Sequence, residues 1–161
     1  MGIASHSVVA LAGGIAGAVG TYHTQVKNKN IELKRIQNDA EKMHEFYTLL
    51  LRWIRIHQEG KNAVSYFEKH SYKSVAIYGM KELGESLLYE LENTSINVEY
   101  GIDQNAESVY VPVDVYKPND ELRPVDVIVV TAVHYFDEIE EDLRKRVNCP
   151  NVSLEDVVWE A

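Results

Sequence analysis

Apolar residues change their spacing several times along this chain, and each change marks an element. From Val75 to Tyr78 a short apolar, β-branched run (SVAIYGM) reads as a strand, and GMKELG follows it at once. From Glu82 onward Leu83, Leu87, Leu88 and Leu91 recur at helical spacing, and INVEYGID then supplies a second strand ending on Asp103. Farther on, Val109, Val111, Val113 and Val115 alternate with Tyr110, Pro112, Asp114 and Tyr116, which places the valines on one face of a strand. Pro112 has no N–H to give to a ladder, so this strand belongs at an edge. Val125 to Val133 is almost continuously apolar, the pattern of a central parallel strand covered on both faces.

The next helix is expected over about Tyr135 to Val147. Asp137, Glu138, Glu140 and Glu141 stand near its start and Arg144, Lys145 and Arg146 near its end, so its charges complement the macrodipole. Pro150 stops it. Asn151 to Val158 reads as a last short strand, with Ser153, Leu154, Glu155 and Asp156 making a turn or a helix cap. The fold class that follows is α/β, a small parallel sheet preceded by a long N-terminal helix, with strand order 3-2-1-4-5. In such a sheet ligands bind outside the carboxyl ends of the strands, here near Gly79, Asp103 and Thr131.

The N-terminal third is different material. Met1 to Val26 contains no Asp, Glu, Lys or Arg, and Ile3 to Tyr22 is long enough to cross a bilayer core as a helix. Gly13 and Gly17 form a GxxxG pair that would let two membrane helices approach closely. Lys27, Lys29, Lys34 and Arg35 follow directly, which puts that side in the cytoplasm. The alternative is a glycine-rich apolar helix buried in a soluble assembly.

Beyond it, Val26, Leu33, Ala40, Tyr47 and Ile54 interleave with Tyr22, Lys29, Ile36, Met43, Leu50 and His57 at steps of four and three, a heptad seam. Lys29, Ala40 and His57 are weak core residues, and Phe46 to Ile56 is apolar around much of the helix. Dimerisation through the seam and packing of this helix on its own domain are both open on the sequence. Gly60 ends the helix, and a shorter one over Ala63 to His70 leads into the first strand. The expected organisation is an apolar, transmembrane segment at 1–22, a helical stalk or coiled coil at 23–70, and one globular domain at 71–161.

Charge divides along the same line. Residues 1–60 carry seven Lys/Arg and five Asp/Glu, whereas residues 61–161 carry nine and twenty, so the globular part is strongly acidic. That composition disfavours phosphate-backbone binding and makes nucleic acid an unsuitable partner. A single cysteine, Cys149, agrees with a reducing compartment and leaves no disulfide within one chain.

The glycine pattern carries the candidate chemistry. A strand, a glycine turn, a helix, a strand and an acidic residue make the opening βαβ unit of a dinucleotide-binding fold. Gly79 permits the sharp exit from the strand and Gly84 lets the helix lie close on the sheet, but Lys81 stands where GxGxxG has its middle glycine. The lysine side chain fills the place of closest approach of a pyrophosphate, while its ammonium can attract a phosphate from the side. Asp103, 24 residues after Gly79, stands near where an acidic residue would bind a ribose hydroxyl. The candidate cofactor-binding residues are therefore Gly79, Met80, Lys81, Gly84, Asp103 and Thr131, for NAD(P) or a nucleotide-sugar; the alternative is a sheet that keeps these glycines for folding alone.

Catalytic constellations are missing. None of the ten tyrosines has a lysine four residues on, as short-chain dehydrogenases and epimerases require, and no GxSxG, HExxH or paired cysteines occur. His134 and Tyr135 follow the central strand as ligand contacts or as helix-entry residues. His134 and Asp137 have spacing for a shared metal, but two ligands make no site.

Through VAIYGMKELG, YGID and VDVIVVTA the stretch from Tyr72 to Val158 resembles the small Rossmann-like domains of bacterial nucleotide-sugar and polysaccharide-biosynthesis proteins, including those that precede sugar acyltransferases. In that family Gly79 and Asp103 would face the nucleotide, and Lys81 departs from the usual glycine. The chain also resembles single-pass proteins with a coiled-coil stalk in Gram-positive cell-surface polysaccharide systems. These resemblances imply a homo-oligomer on the bacterial cytoplasmic membrane, its globular domain in the cytosol, sensing or scaffolding through a nucleotide ligand. An NAD(P)-dependent oxidoreductase or epimerase is one alternative, and a non-binding assembly protein oligomerising through its Gly/Ala-rich helix is another.

Overall fold

A computed structural model describes the backbone of residues 3–161 and the side chains of residues 25–161. The chain divides into two compact units, Met1–Phe46 and Tyr47–Ala161. Helix α1 runs over Ile3–Gln58, followed by α2 (Val64–Lys69), β1 (Ser74–Tyr78), α3 (Glu82–Leu91), β2 (Asn97–Ile102), β3 (Val115–Tyr116), β4 (Val127–Val130), α4 (Phe136–Leu143), β5 (Asn151–Ser153) and α5 (Leu154–Glu160). The five strands form one all-parallel sheet in the order β3-β2-β1-β4-β5, as the sequence predicts.

Period-two patterning sorts the strands onto two faces. Ala76, Tyr100, Ile102, Ile128 and Val130 are buried together with Leu143 of α4, and Tyr78, Phe136 and Ile139 pack against them. Val75, Ile77, Val127 and Val129 point to the other face and are fully buried there. The register slips once between β1 and β2, pairing Ala76 with Tyr100 immediately after Val75 with Val98. Skipping Glu99 in this way brings Tyr100 and Ile102 onto the same face as Ala76.

Three elements differ from expectation. The strand expected over Val109–Tyr116 shrinks to Val115–Tyr116, which pairs with Gly101 and Ile102 of β2. The valines remain more buried than Tyr110, Pro112 and Asp114, so the alternation survives without a ladder. The helix expected over Tyr135–Val147 is a 3-10 turn at Val133–Tyr135 followed by α4, which ends at Leu143, so Arg144 to Arg146 lie beyond it. The strand expected over Asn151–Val158 is three residues long and gives way to α5. Its start is a capping box: the Ser153 hydroxyl accepts from the Glu155 N–H and the Asp156 carboxylate from the Ser153 N–H. Leu154, Val157 and Val158 are buried at helical spacing, which is why the helix wins.

The end of α1 belongs to the unit Tyr47–Ala161, where Leu49, Trp53 and Ile56 are buried. Glu90 of α3 ties this end down. It accepts from Trp53 Nε1 at 2.5 Å and from the Ala63 N–H at 2.6 Å, and it pairs with His57 Nε2 at 3.1 Å. This end of the helix packs on its own unit through Leu49, Trp53 and Ile56, while Tyr47 and Ile54 of the seam stay more than half exposed.

Among the described residues no helix is long and apolar enough to cross a membrane. The span predicted at Ile3–Tyr22, with its GxxxG pair, lies outside the residues whose side chains are described.

Candidate functional site

Strand order reverses between β1 and β4, and the chain leaves β1 there through Gly79, Met80 and Lys81. Gly79 has φ +94°, a conformation open to glycine at little cost, and a Cβ on it would stand 2.7 Å from Thr131 Oγ1. Thr131 closes the turn from the β4 side, donating its hydroxyl to the Gly79 carbonyl at 2.5 Å and its N–H to the Tyr78 carbonyl at 2.8 Å. Gly84 is needed for a different reason. A Cβ there would meet the Gly79 carbonyl oxygen at 2.1 Å, so the first turn of α3 sits directly on the exit from β1. Gly79, Gly84 and Thr131 are therefore brought together as the sequence predicts, and the contacts that join them are internal.

Asp103 closes the turn from the β2 side. It is only 8 % exposed, and its two oxygens accept the Met80 N–H at 2.9 Å and the Asn105 N–H at 2.8 Å. The carboxylate thus holds the backbone of the glycine turn, a role that its spacing from Gly79 did not reveal. Met80 is likewise inside the fold, 2 % exposed, its side chain lying over Gly101 where a Cβ would crowd Met80 Cγ at 2.7 Å.

Lys81 is the member of the predicted set that faces outward. It is exposed, occupies the N-cap position of α3 with φ −90° and ψ −160°, and uses no side-chain cap hydrogen bond. That backbone geometry suits any L-residue, so the missing glycine costs the fold nothing. What Lys81 adds is a cation at the positive end of a ten-residue helix.

Beside the turn, the carboxyl ends of β4 and β5 open on a pocket of about 380 Å³. Its lining includes His134, Tyr135, Ser153 and the carboxylates of Asp137, Glu138, Glu155 and Asp156, so it is polar with an acidic side. Among the described residues no group of three or more His, Cys, Asp or Glu side chains is gathered to hold a metal ion.

Tyr78, at the end of β1, is a phenol that the sequence reading passed over. Burial, with the Asp103 carboxylate beside it, raises its pKa above the ordinary tyrosine value. The shift is opposite to the one that a lysine neighbour gives the catalytic tyrosine of an epimerase, so Tyr78 stays a protonated hydroxyl at neutral pH. Cys149 is half-buried, and its burial pushes the thiol pKa up, away from nucleophilic character. Compared with known proteins, the chain matches no family model, no curated protein and no solved structure.

Proposed function

We propose that residues 71–161 are a Rossmann-like module that binds a nucleotide or nucleotide-sugar in a sensing or scaffolding role, carried on a helical, membrane-anchored stalk. The observation that carries the reading is the reversal of strand order at β1 and β4 with the Gly79–Lys81 turn opening onto it, the place where open parallel sheets bind their ligands. The phosphate is received by the N-terminus of α3 and by the Lys81 ammonium. Each Asp103 oxygen already accepts one backbone N–H, and the carboxylate is assigned here to holding the turn rather than to clasping a ribose hydroxyl. The acidic wall formed by Asp137, Glu138 and Asp156 favours a ligand with one or two phosphates near Lys81 and its neutral portion toward the pocket. The role is non-catalytic, since no activated nucleophile or lowered phenol stands at the turn.

One observation favours a second reading, a sheet that serves only as a structural module: the turn is satisfied from within by Asp103 and Thr131. Calorimetry on the wild type and Lys81→Gly separates the two. Titration with a nucleoside diphosphate, a nucleotide-sugar and NAD should show binding by the wild type that Lys81→Gly weakens about tenfold, the loss of one charge-assisted contact. Absence of heat with all three at millimolar concentration leaves the structural reading. Gain of NAD binding by Lys81→Gly would instead make the lysine a block on an older dinucleotide site.

A further inference from the structure

Helix α1 presents two apolar faces, and among the described residues one is buried and the other exposed. Leu49, Trp53 and Ile56 are buried, whereas Val26 is 39 %, Leu33 55 %, Ile36 57 % and Met43 66 % exposed. At 100° per residue the seam positions Met43, Tyr47, Leu50 and Ile54 lie roughly 110° around the helix from the line of Phe46, Leu49, Trp53 and Ile56. Burial of Leu49, Trp53 and Ile56 therefore leaves Met43, Tyr47 and Ile54 exposed and Leu50 partly so.

We infer that residues 26–57 of α1 form a parallel, in-register, two-stranded coiled coil with the same helix of a second copy of this chain. The inference rests on the stalk in the proposed function and adds its partner, orientation and register. Val26, Lys29, Leu33, Ile36, Ala40 and Met43 advance by alternate steps of three and four, the 3.5-residue period that keeps a stripe facing a neighbouring helix. Tyr47, Leu50 and Ile54 continue the period, which exceeds four heptads in all.

Flanking charges choose the orientation. Glu32 and Asp39 stand at the g positions, and Asn30, Gln37 and His44 at the e positions. In a parallel pair each g residue faces the e residue five positions on in the other helix, which sets Glu32 against Gln37 and Asp39 against His44 of the second copy. An antiparallel pair brings g against g, facing acidic residues with one another. Register follows from Lys29. Keeping the helices level confines both lysines to one layer, where their stems cover the seam and their ammonium groups reach toward Glu32 three residues on. A slip of one heptad would part the lysines and place one of them against Ile36 of the other helix.

Disulfide trapping in the full chain tests this, with Cys149→Ser as background and Ile36→Cys, Met43→Cys or Asn38→Cys added singly. Ile36 and Met43 lie on the seam, seven residues apart, and Asn38 faces outward; symmetric bonds at both seam positions cannot form in one antiparallel pair. Under mild oxidation the two seam variants should become covalent dimers at least about tenfold faster than Asn38→Cys, given the short Cβ separation a disulfide needs. Light scattering on the uncrosslinked Cys149→Ser chain should give twice the monomer mass. A monomeric mass, a trimer or larger assembly, bonding at only one seam position, or equal bonding at Asn38→Cys would overturn the inference. Nucleotide titration of the same variants reads the ligand proposal separately, because no substituted residue lies at the turn.

Discussion

Asp103→Ala gives the sharpest reading of what the glycine turn is for. In the native fold this carboxylate takes the Met80 N–H at 2.9 Å and the Asn105 N–H at 2.8 Å. Met80 is 2 % exposed, so its N–H has no route to water once the carboxylate is gone, and an orphaned buried donor costs about 1–3 kcal/mol. Asn105 is exposed, and water replaces most of its bond, leaving a loss of about 0.5–1 kcal/mol. The expected destabilisation is about 1.5–4 kcal/mol in the absence of any ligand, read as a lower urea midpoint at unchanged slope. Asp103→Asn keeps one acceptor for Met80 and turns its NH2 toward the solvated Asn105 side, so its cost should be less than half of that. Amide exchange at Met80 should accelerate in Asp103→Ala and remain slow in Asp103→Asn. Were Asp103 instead held in reserve for a ribose hydroxyl, its removal would leave the unliganded protein unharmed. Stability within about 0.5 kcal/mol of wild type, with Met80 still protected, would refute the assignment of Asp103 as the lock of the turn.

Two further predictions address the frame around the turn. Glu90→Ala strands Trp53 Nε1 and the Ala63 N–H together, and thermal unfolding should fall by roughly 8–15 °C, corresponding to about 2–4 kcal/mol in a unit of this size; a shift under about 2 °C would show that the end of α1 is held by packing alone. Asp126 accepts from the Lys73 and Ser74 N–H groups, and these bonds, that to Ser74 foremost, lower its pKa in the fold. A depressed native pKa adds stability that is full above the unfolded value of about 4 and is lost as pH falls through the native one. Melting temperature should therefore decline less between about pH 5 and 3 in Asp126→Asn than in wild type, and parallel curves would show that Asp126 does not contribute.

Much of the sheet is legible in the sequence because its signals are local. β1, α3 and β2 each declare themselves by spacing, and the pairing of β1 with β2 and β4 follows from hydrophobicity on both faces. What the sequence conceals is what depends on distant partners. In parallel register the run Val109–Asp114 would lie beside Ser95–Tyr100, yet only Val115 and Tyr116 pair with β2, and Pro112 within the run has no N–H to give to a ladder. Leu154, Val157 and Val158 carry helical spacing behind a capping box, but Val152, Val157 and Val158 are also β-branched, so the segment suits a strand as well until its buried face is known. At the site, Gly79, Gly84 and Thr131 fall together because turn geometry is short-range. Asp103 stands at the expected place, yet its partners are backbone N–H groups that no spacing rule reports. Met80 reads as a turn residue and is core, since the room made for it lies on another strand at Gly101. Glu90 is one of several acidic residues on its helix, and only the fold brings Trp53, His57 and Ala63 to it.

The central claim is that a phosphate-bearing nucleotide ligand docks at the exit from β1. Amide chemical-shift mapping of the full chain with a nucleotide-sugar tests it most directly, because it reads place as well as binding. The account predicts saturable shifts concentrated at Lys81, Glu82 and Leu83 at the start of α3 and at Ala132 and Val133 after β4, with Asp103 and Asn105 little affected. A spectrum unchanged at millimolar ligand, or shifts confined to residues away from the ends of β1 and β4, would contradict it.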